Sequence, residues 1–263
     1  MLKTSVKREP IKMSRNYQFN NKFVYVMGGG KFGTKALRYL KSNGAKVLVV
    51  DLNPACKAKT ETDIETETVK VRNTLKNGQA AFFVGDAVEH LMNILEVNVP
   101  DWVVTAIPSN AVAKVVTRWL SKGGYKLEPY QDIIQQVLSN IPESLVSFLN
   151  KENAVIVVSY MPPNLQCREN CMPPKDFCAS TNRPKLASMN KLLNFSVYGL
   201  TDLLEILKSE QLTGGLGAIN GDQLFSFLKK LKKHHESFTL VVGTACDCHG
   251  IINLFKITRQ NTK

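Results

Sequence analysis

The stretch VYVMGGGKFGTKALRYLKSNGAKVLVVD, residues 24 to 51, constrains the fold more than any other part of the chain. Lys22 to Met27 is a β-branched and aromatic run that reads as a strand. Gly28-Gly29-Gly30-Lys31-Phe32-Gly33 follows at once, and apolar residues then recur at helical spacing as far as Gly44, where the helix should stop. Lys46 to Asp51 is a second strand. Strand, tight glycine turn, helix and strand in this order make a right-handed βαβ unit and commit the chain to parallel pairing.

The alternation continues. AAFFVGD (80–86) supplies a third strand, AVEHLMNILEV a helix, DWVVTAI (101–107) a fourth strand and NAVAKVVTRWLSKGG another helix, while VKVRNTLKNG (69–78) is predicted helical. Two helical segments divided near Pro142 are expected between Pro129 and Asn150. NAVIVVSYMPP is a fifth strand, GLTDLLEILKSE (199–210) and GDQLFSFLKKLKKHH are helices, SFTLVVGTA is a sixth strand and GIINLFKIT a last one. TGGLGAINGD is taken as a loop. The class implied is α/β, a doubly wound, mostly parallel sheet with a cysteine-rich C-terminal extension. Residues 1–21 are expected as a basic flexible arm, 22–160 as a dinucleotide-binding domain, and 161–263 as an α/β extension continuing the same sheet.

The glycine turn satisfies G-x-G-x-x-G between a strand and a helix. Gly28 makes the turn, Gly30 lets a pyrophosphate approach the backbone, and Gly33 lets helix and strand pack closely. Amides at Lys31 and Phe32, opening the helix, can then bind phosphate without a charged side chain. Asp51 ends the second strand, 21 residues beyond Gly30. A carboxylate there accepts both hydroxyls of an adenosine ribose and repels a 2′-phosphate, which favours NAD(H), although Lys57 and Lys59 follow closely. Asp86 ends the third strand beside the expected adenine, or caps the next helix. Ser109 and Asn110 follow the fourth strand, where they could meet the nicotinamide ribose or serve as a helix cap.

On these residues the N-terminal segment resembles that of the precorrin-2 dehydrogenases, the NAD-dependent part of siroheme synthases. GDAVEHL and PDWVVTAIPSNAV resemble the nucleotide-binding regulatory domains of potassium channels and transporters. The resemblance covers about residues 22 to 120 and implies an NAD(P)-binding Rossmann fold. Precorrin-2 dehydrogenases are expected to carry a catalytic carboxylate just after strand four; this chain has Ile107, Pro108, Ser109 and Asn110 there. The cysteine-rich second half resembles neither family.

That half holds the second chemical signal. Cys167, Cys171 and Cys178 stand in CRENCMPPKDFC, and Cys246, Cys248 and His249 in TACDCHG. A chain of 263 residues buries a full core without staples. It has no run of about 18 apolar residues, and its first residues resemble no signal peptide, so a cytoplasmic, soluble protein is expected. In a reducing compartment, closely spaced cysteines are more often metal ligands or redox groups than disulfides. The spacings C-x3-C-x6-C and C-x-C-H match neither the common zinc fingers nor the bacterial ferredoxin run. Thiolates suit iron–sulfur or zinc. An iron–sulfur cluster is the expectation because a redox centre beside a dinucleotide can pass electrons; zinc is the alternative. His249 is a ligand or a neighbour of one, and Cys56 a packed thiol.

The remaining polar groups carry weaker signals. Tyr160 and Ser159 end the fifth strand, Arg183 and Lys185 could clamp a substrate anion, and His90 lies within a helix. With 34 Lys+Arg against 22 Asp+Glu the net charge is +12, concentrated in the first 22 residues and from Lys229 to His235. Such runs are usually solvated faces, so nucleic acid is a disfavoured partner; a small-molecule substrate or redox partner, no membrane and a homo-oligomer are expected. The function implied is an NAD(H)-dependent oxidoreductase with a cysteine-held metal centre. The alternative is a regulatory module sensing redox state or nucleotide.

Overall fold

The computed structural model describes residues 18–260, except Val69, Gln166, Glu169 and His235. Its strands form two mixed sheets covered by helices, with no closed barrel. In the first sheet, β1 (Phe23–Met27), β2 (Lys46–Asp51), β3 (Ile64–Glu65), β4 (Ala80–Val84) and β5 (Trp102–Thr105) are parallel, in the order β5-β1-β2-β4-β3. An antiparallel hairpin, β10 (Glu210–Thr213) and β11 (Leu216–Asn220), returns from far along the chain and pairs β11 with β5, giving seven strands.

The second sheet has six strands. β7 (Val146–Asn150), β8 (Val155–Ser159), β13 (His249–Arg259), β12 (Phe238–Ala245) and β9 (Leu203–Lys208) lie in that order, and β6 (Tyr125–Pro129) also pairs with β13. Only β9 with β12 is parallel. The second half therefore does not extend the first sheet; only the β10–β11 hairpin does. Residues 125–159, expected within the first domain, belong to the second sheet as β6, β7 and β8. Both faces of both sheets are buried, so each sheet needed helices on either side, and the chain supplies one shared helical layer between them.

Alternation along the strands decides which core each residue enters. In β1, Phe23, Tyr25 and Met27 face the core formed with α2 (Ala87–Val97), α3 (Ala111–Lys122) and α6 (Gly221–Leu231). Val24 and Val26 face the opposite core, filled by Ala36, Leu37 and Leu40 of α1 (Lys31–Ser42). The second sheet does the same. Leu240 and Val242 of β12 join the core of α2, α3 and α6, whereas Val241 and Ala245 face α4 (Ile134–Ser139) and α5 (Met189–Val197).

Several expectations are corrected. GLTDLLEILKSE holds strand β9, not a helix: Leu203 and Leu207 enter one core and Ile206 the other, and a strand buried on both faces shows the same unbroken apolar run as a buried helix. Between Pro129 and Asn150 only the short α4 and a 3-10 turn, Glu143–Leu145, are helical before β7 begins. VKVRNTLKNG contributes only a 3-10 turn at Val71–Asn73. The expected arm lies outside the described residues up to position 17, and beyond it Phe19 is 1% exposed, packed against α1 and β2. Among the described residues no helix is long and apolar enough to cross a membrane.

Candidate functional site

The glycine turn leaves β1 at the carboxyl ends of the parallel strands. Gly28 has φ +93° and donates its N–H to the Val50 carbonyl at 2.8 Å. At Gly33 a Cβ would come within 1.8 Å of the Gly28 carbonyl oxygen, so only glycine lets the helix start this close to the strand. Cys56 lies beneath the turn, where a Cβ on Gly29 would stand 2.3 Å from its sulfur. Gly30 differs: a Cβ there would meet no atom within 4 Å, so protein packing does not demand glycine at the N-cap of α1. Lys31 and Phe32 are exposed in the first turn, and Phe32 is 63% exposed.

Asp51 is part of the turn's framework. Its Oδ2 accepts from the Gly29 amide at 2.5 Å and its Oδ1 from the Asn53 amide at 2.8 Å. Asp86 caps α2 by accepting from the Val88 and Glu89 amides and remains exposed. Ser109 adopts φ +68°, is exposed and donates to the Pro108 carbonyl. Asn110 is 4% exposed: it caps α3 through the Ala113 amide and donates to Asn253 and the Val242 carbonyl of the second sheet. Its amide thus ties the two sheets together, a role beyond the ribose contact or helix cap expected from the sequence.

The cysteine segments meet because of strand direction. β8 and β12 are both antiparallel to β13, so they run the same way and finish at one edge, where Ser159 stands opposite His249. The loop after β8 carries Cys167, Cys171 and Cys178, and the β12–β13 turn carries Cys246 and Cys248. His249 Nε2 is 3.3 Å from the Cys167 sulfur, and its Nδ1 is 3.7 Å from that of Cys246. One imidazole therefore touches a thiol from each segment.

Two of the thiols have distinctive polar surroundings. The Cys248 and His249 amides point at the Cys246 sulfur at 3.3 and 3.4 Å. At Cys178, burial pushes the pKa up, but the polar Ser180–Thr181 turn beside it and the Lys185 ammonium outweigh it and leave the thiol below its ordinary value. Burial raises Cys167 and Cys171, and neighbouring thiols add to the effect: Cys171, Cys178 and Cys246 on the first, Cys178 and Cys246 on the second. Cys248, 7% exposed, is pushed by burial to about 11 despite a hydrogen bond from Lys185, and so stays protonated at neutral pH. Crowding of the His249 ring by protein, then the Lys185 charge, lowers its pKa and favours the neutral form. Among the described residues no three His, Cys, Asp or Glu side chains already form a group able to hold a metal ion.

The cysteine loop also reaches the glycine-turn unit. β11 runs antiparallel to β5, with Ile219 opposite Val103, so the β10–β11 turn lies at the carboxyl end of β5. The Cys171 carbonyl accepts from Gln211 Nε2 at 2.6 Å and from the Gly215 amide at 3.2 Å. Lys35, one turn into α1, donates to Asn170 Oδ1 at 3.0 Å and to the Gly214 carbonyl at 2.8 Å.

Other candidates have structural partners. The Tyr160 side chain is 1% exposed and its hydroxyl exchanges hydrogen bonds with the Ala187 backbone; Ser159 accepts from the Met161 amide. Arg183 donates to the Ser144 carbonyl and Lys185 Nζ to that of Pro174. Lys229 lies over the Phe225 ring and Lys232 over Trp119, so part of the basic run covers aromatic surface. His90 stacks on Tyr25 with Nδ1 3.2 Å from the phenol oxygen, and burial lowers its pKa to about 4.

Comparison with known proteins places this arrangement in a family. The family model AF_1314_C, described as the C-terminal domain of an uncharacterized protein, matches residues 88–258; AF_1314_N, described as the N-terminal domain, matches residues 24–109. The two meet inside the first sheet. An uncharacterized protein of Archaeoglobus fulgidus is 29% identical over 231 residues, which span 88% of this chain and 98% of that protein. The C-terminal model alone spans more than half of the chain, which therefore belongs to this family.

Proposed function

For this member of the AF_1314 family we propose an NAD(H)-binding protein with a cysteine-ligated metal centre close to its nucleotide site, acting as an oxidoreductase. The reading of the first sheet as Rossmann-like is supported by its order: β4-β2-β1-β5 is the third, second, first and fourth long parallel strand, the order that leaves a nucleotide crevice above β1. Open space at Gly30 suits a pyrophosphate against the backbone. Each oxygen of Asp51 accepts one amide and retains a lone pair for a ribose hydroxyl, which favours NAD(H) over NADP(H). Asp86 and Ser109 border the same edge, near the adenine and the nicotinamide ribose respectively. The resemblance to precorrin-2 dehydrogenases enters only as support for nucleotide binding.

The observation that carries the metal centre is the contact of Cys167 and Cys246 with one imidazole, from segments far apart in the chain. The polar turn around Cys178 favours its thiolate, the ligating form, and the Cys248 and His249 amides face the Cys246 sulfur. Cys167, Cys171, Cys178, Cys246 and Cys248 are the candidates, with His249 beside them. Ligation requires the loop to draw in, and its solvent-facing position leaves room for that. An iron–sulfur cluster is favoured over zinc because it gives the nucleotide an electron acceptor or donor.

A second reading, a non-enzymatic redox or nucleotide sensor, is favoured by one feature: the polar groups after β5 and β8 are engaged. Ser109 binds Pro108, Asn110 joins the sheets and Tyr160 is buried. An oxidoreductase here would draw its proton donor from the substrate or from His249. Anaerobic titration with NADH tests the proposal: the expected protein is brown, binds NADH and loses visible absorption, two centres taking one electron each for every NADH oxidised to NAD+ and a proton. A colourless protein containing zinc, or one that does not bind NADH, overturns it.

A further inference from the structure

Lys35 and the β10–β11 turn connect the cysteine loop to the helix that begins at the glycine turn. Asn170 and Cys171 form one end of the connection. Cys171 presents its carbonyl to Gln211 and Gly215, and the Asn170 side chain accepts from Lys35. The other end is α1. Lys35 also holds the Gly214 carbonyl, and the Tyr39 hydroxyl, one turn further on, donates to the Leu212 carbonyl at 3.0 Å. The packing at the centre is tight: a Cβ at Gly214 would lie 2.6 Å from the Asn170 carbonyl oxygen. The hairpin is thus clamped between the cysteine loop on one side and α1 on the other, without using a thiol or an amide of the glycine turn.

We propose that this clamp couples the two sites, so that a loaded cysteine centre tightens nucleotide binding at the start of α1. The inference rests on the function proposed above and adds the regulation of that site. Ligation through the Cys171 side chain restrains residues 170 and 171, whose Cys171 carbonyl and Asn170 side chain accept three of the clamp's hydrogen bonds. The restraint passes to the hairpin and to Lys35, and so reduces the ordering that α1 must undergo when phosphate binds its first turn. Linkage makes the effect reciprocal: bound nucleotide slows loss of metal from the centre by stabilising the same docked loop.

The test compares NADH affinity of anaerobically iron-loaded and metal-free protein by calorimetry, in the parent chain and in Lys35→Met and Gly214→Ala. Coupling predicts that loading tightens NADH binding about tenfold in the parent, within the usual range for linked sites. In each variant the ratio should fall toward one while iron content is unchanged. Equal affinity in the loaded and metal-free parent overturns the coupling, as does a parent-like ratio in both variants. Failure to bind NADH in any form, or to take up iron, instead overturns the proposed function on which the coupling rests.

Discussion

The glycine turn and the cysteine turns lie on adjoining sheets but are built in opposite ways. The first is packed closely around its backbone: Gly33 against Gly28, Gly29 over the Cys56 sulfur, and the Asp51 carboxylate accepting from two amides. The second is held mainly by side chains and turn amides on a long loop and a hairpin end, with Cys167 exposed and Cys171 half-buried. A backbone-packed site is preformed and intolerant of added atoms. Thiols borne on a loop are more tolerant of change. The contrast explains why one segment reads clearly from sequence while the other needs the strand directions to be interpretable.

The comparison can be broken most sharply at Gly33. Alanine there places its Cβ 1.8 Å from the Gly28 oxygen with no flexible side chain to give way, and should cost about 3 kcal/mol in urea unfolding. A loss near zero would show that the turn is not preformed. The buried His90 in the same layer gives the next effect. Its folded pKa, near 4, lies below the ordinary imidazole value, so the unfolded chain binds more protons between the two. The stability it contributes is complete above about pH 6.5 and is lost as the pH falls toward 4, about 2 kcal/mol of it by pH 5. Unfolding at pH 7 and pH 5 should show that loss in the parent and not in His90→Phe.

Between the two regions, Asn110→Ala removes the α3 cap and the bond to Asn253, and about 1–2 kcal/mol is expected by thermal denaturation. An unchanged melting temperature would mean that the sheets are joined by packing alone. The smallest stability effect sharpens the contrast. Gly30→Ala meets no atom and has φ −70°, which alanine adopts, so stability should change by less than about 0.5 kcal/mol. NADH affinity should nonetheless fall, because the added methyl stands where the pyrophosphate approaches; retained affinity would move the phosphate elsewhere.

Legibility in the sequence followed the same division. The βαβ opening was readable because each strand alternates between two cores and the glycines leave one possible turn. The second sheet was not, since β9 carries Leu203, Leu204, Ile206 and Leu207 around a single glutamate, a run that fits a buried helix equally well. The β10–β11 hairpin was hidden within a glycine-rich loop, although Gly214 and Gly215 between two short runs are a two-residue hairpin signal. For the cysteines, residue type and spacing indicated chemistry but not proximity. Their meeting depends on β8 and β12 ending at the same edge, a consequence of both pairing with β13. The sheet-joining role of Asn110 is not legible in the sequence, where it reads as a ribose contact or a cap, because its partners Val242 and Asn253 lie more than a hundred residues away.

The proposed redox centre is held by two cysteine segments distant in the chain. Iron and sulfide content per chain, measured on anaerobically purified parent, Cys178→Ser, Cys246→Ser and Cys248→Ala proteins, tests it most directly. Iron and sulfide should be present in the parent, lost in both serine variants, which lie on different segments, and retained in Cys248→Ala. Iron absent from the parent, or kept when either Cys178 or Cys246 is replaced, would contradict it.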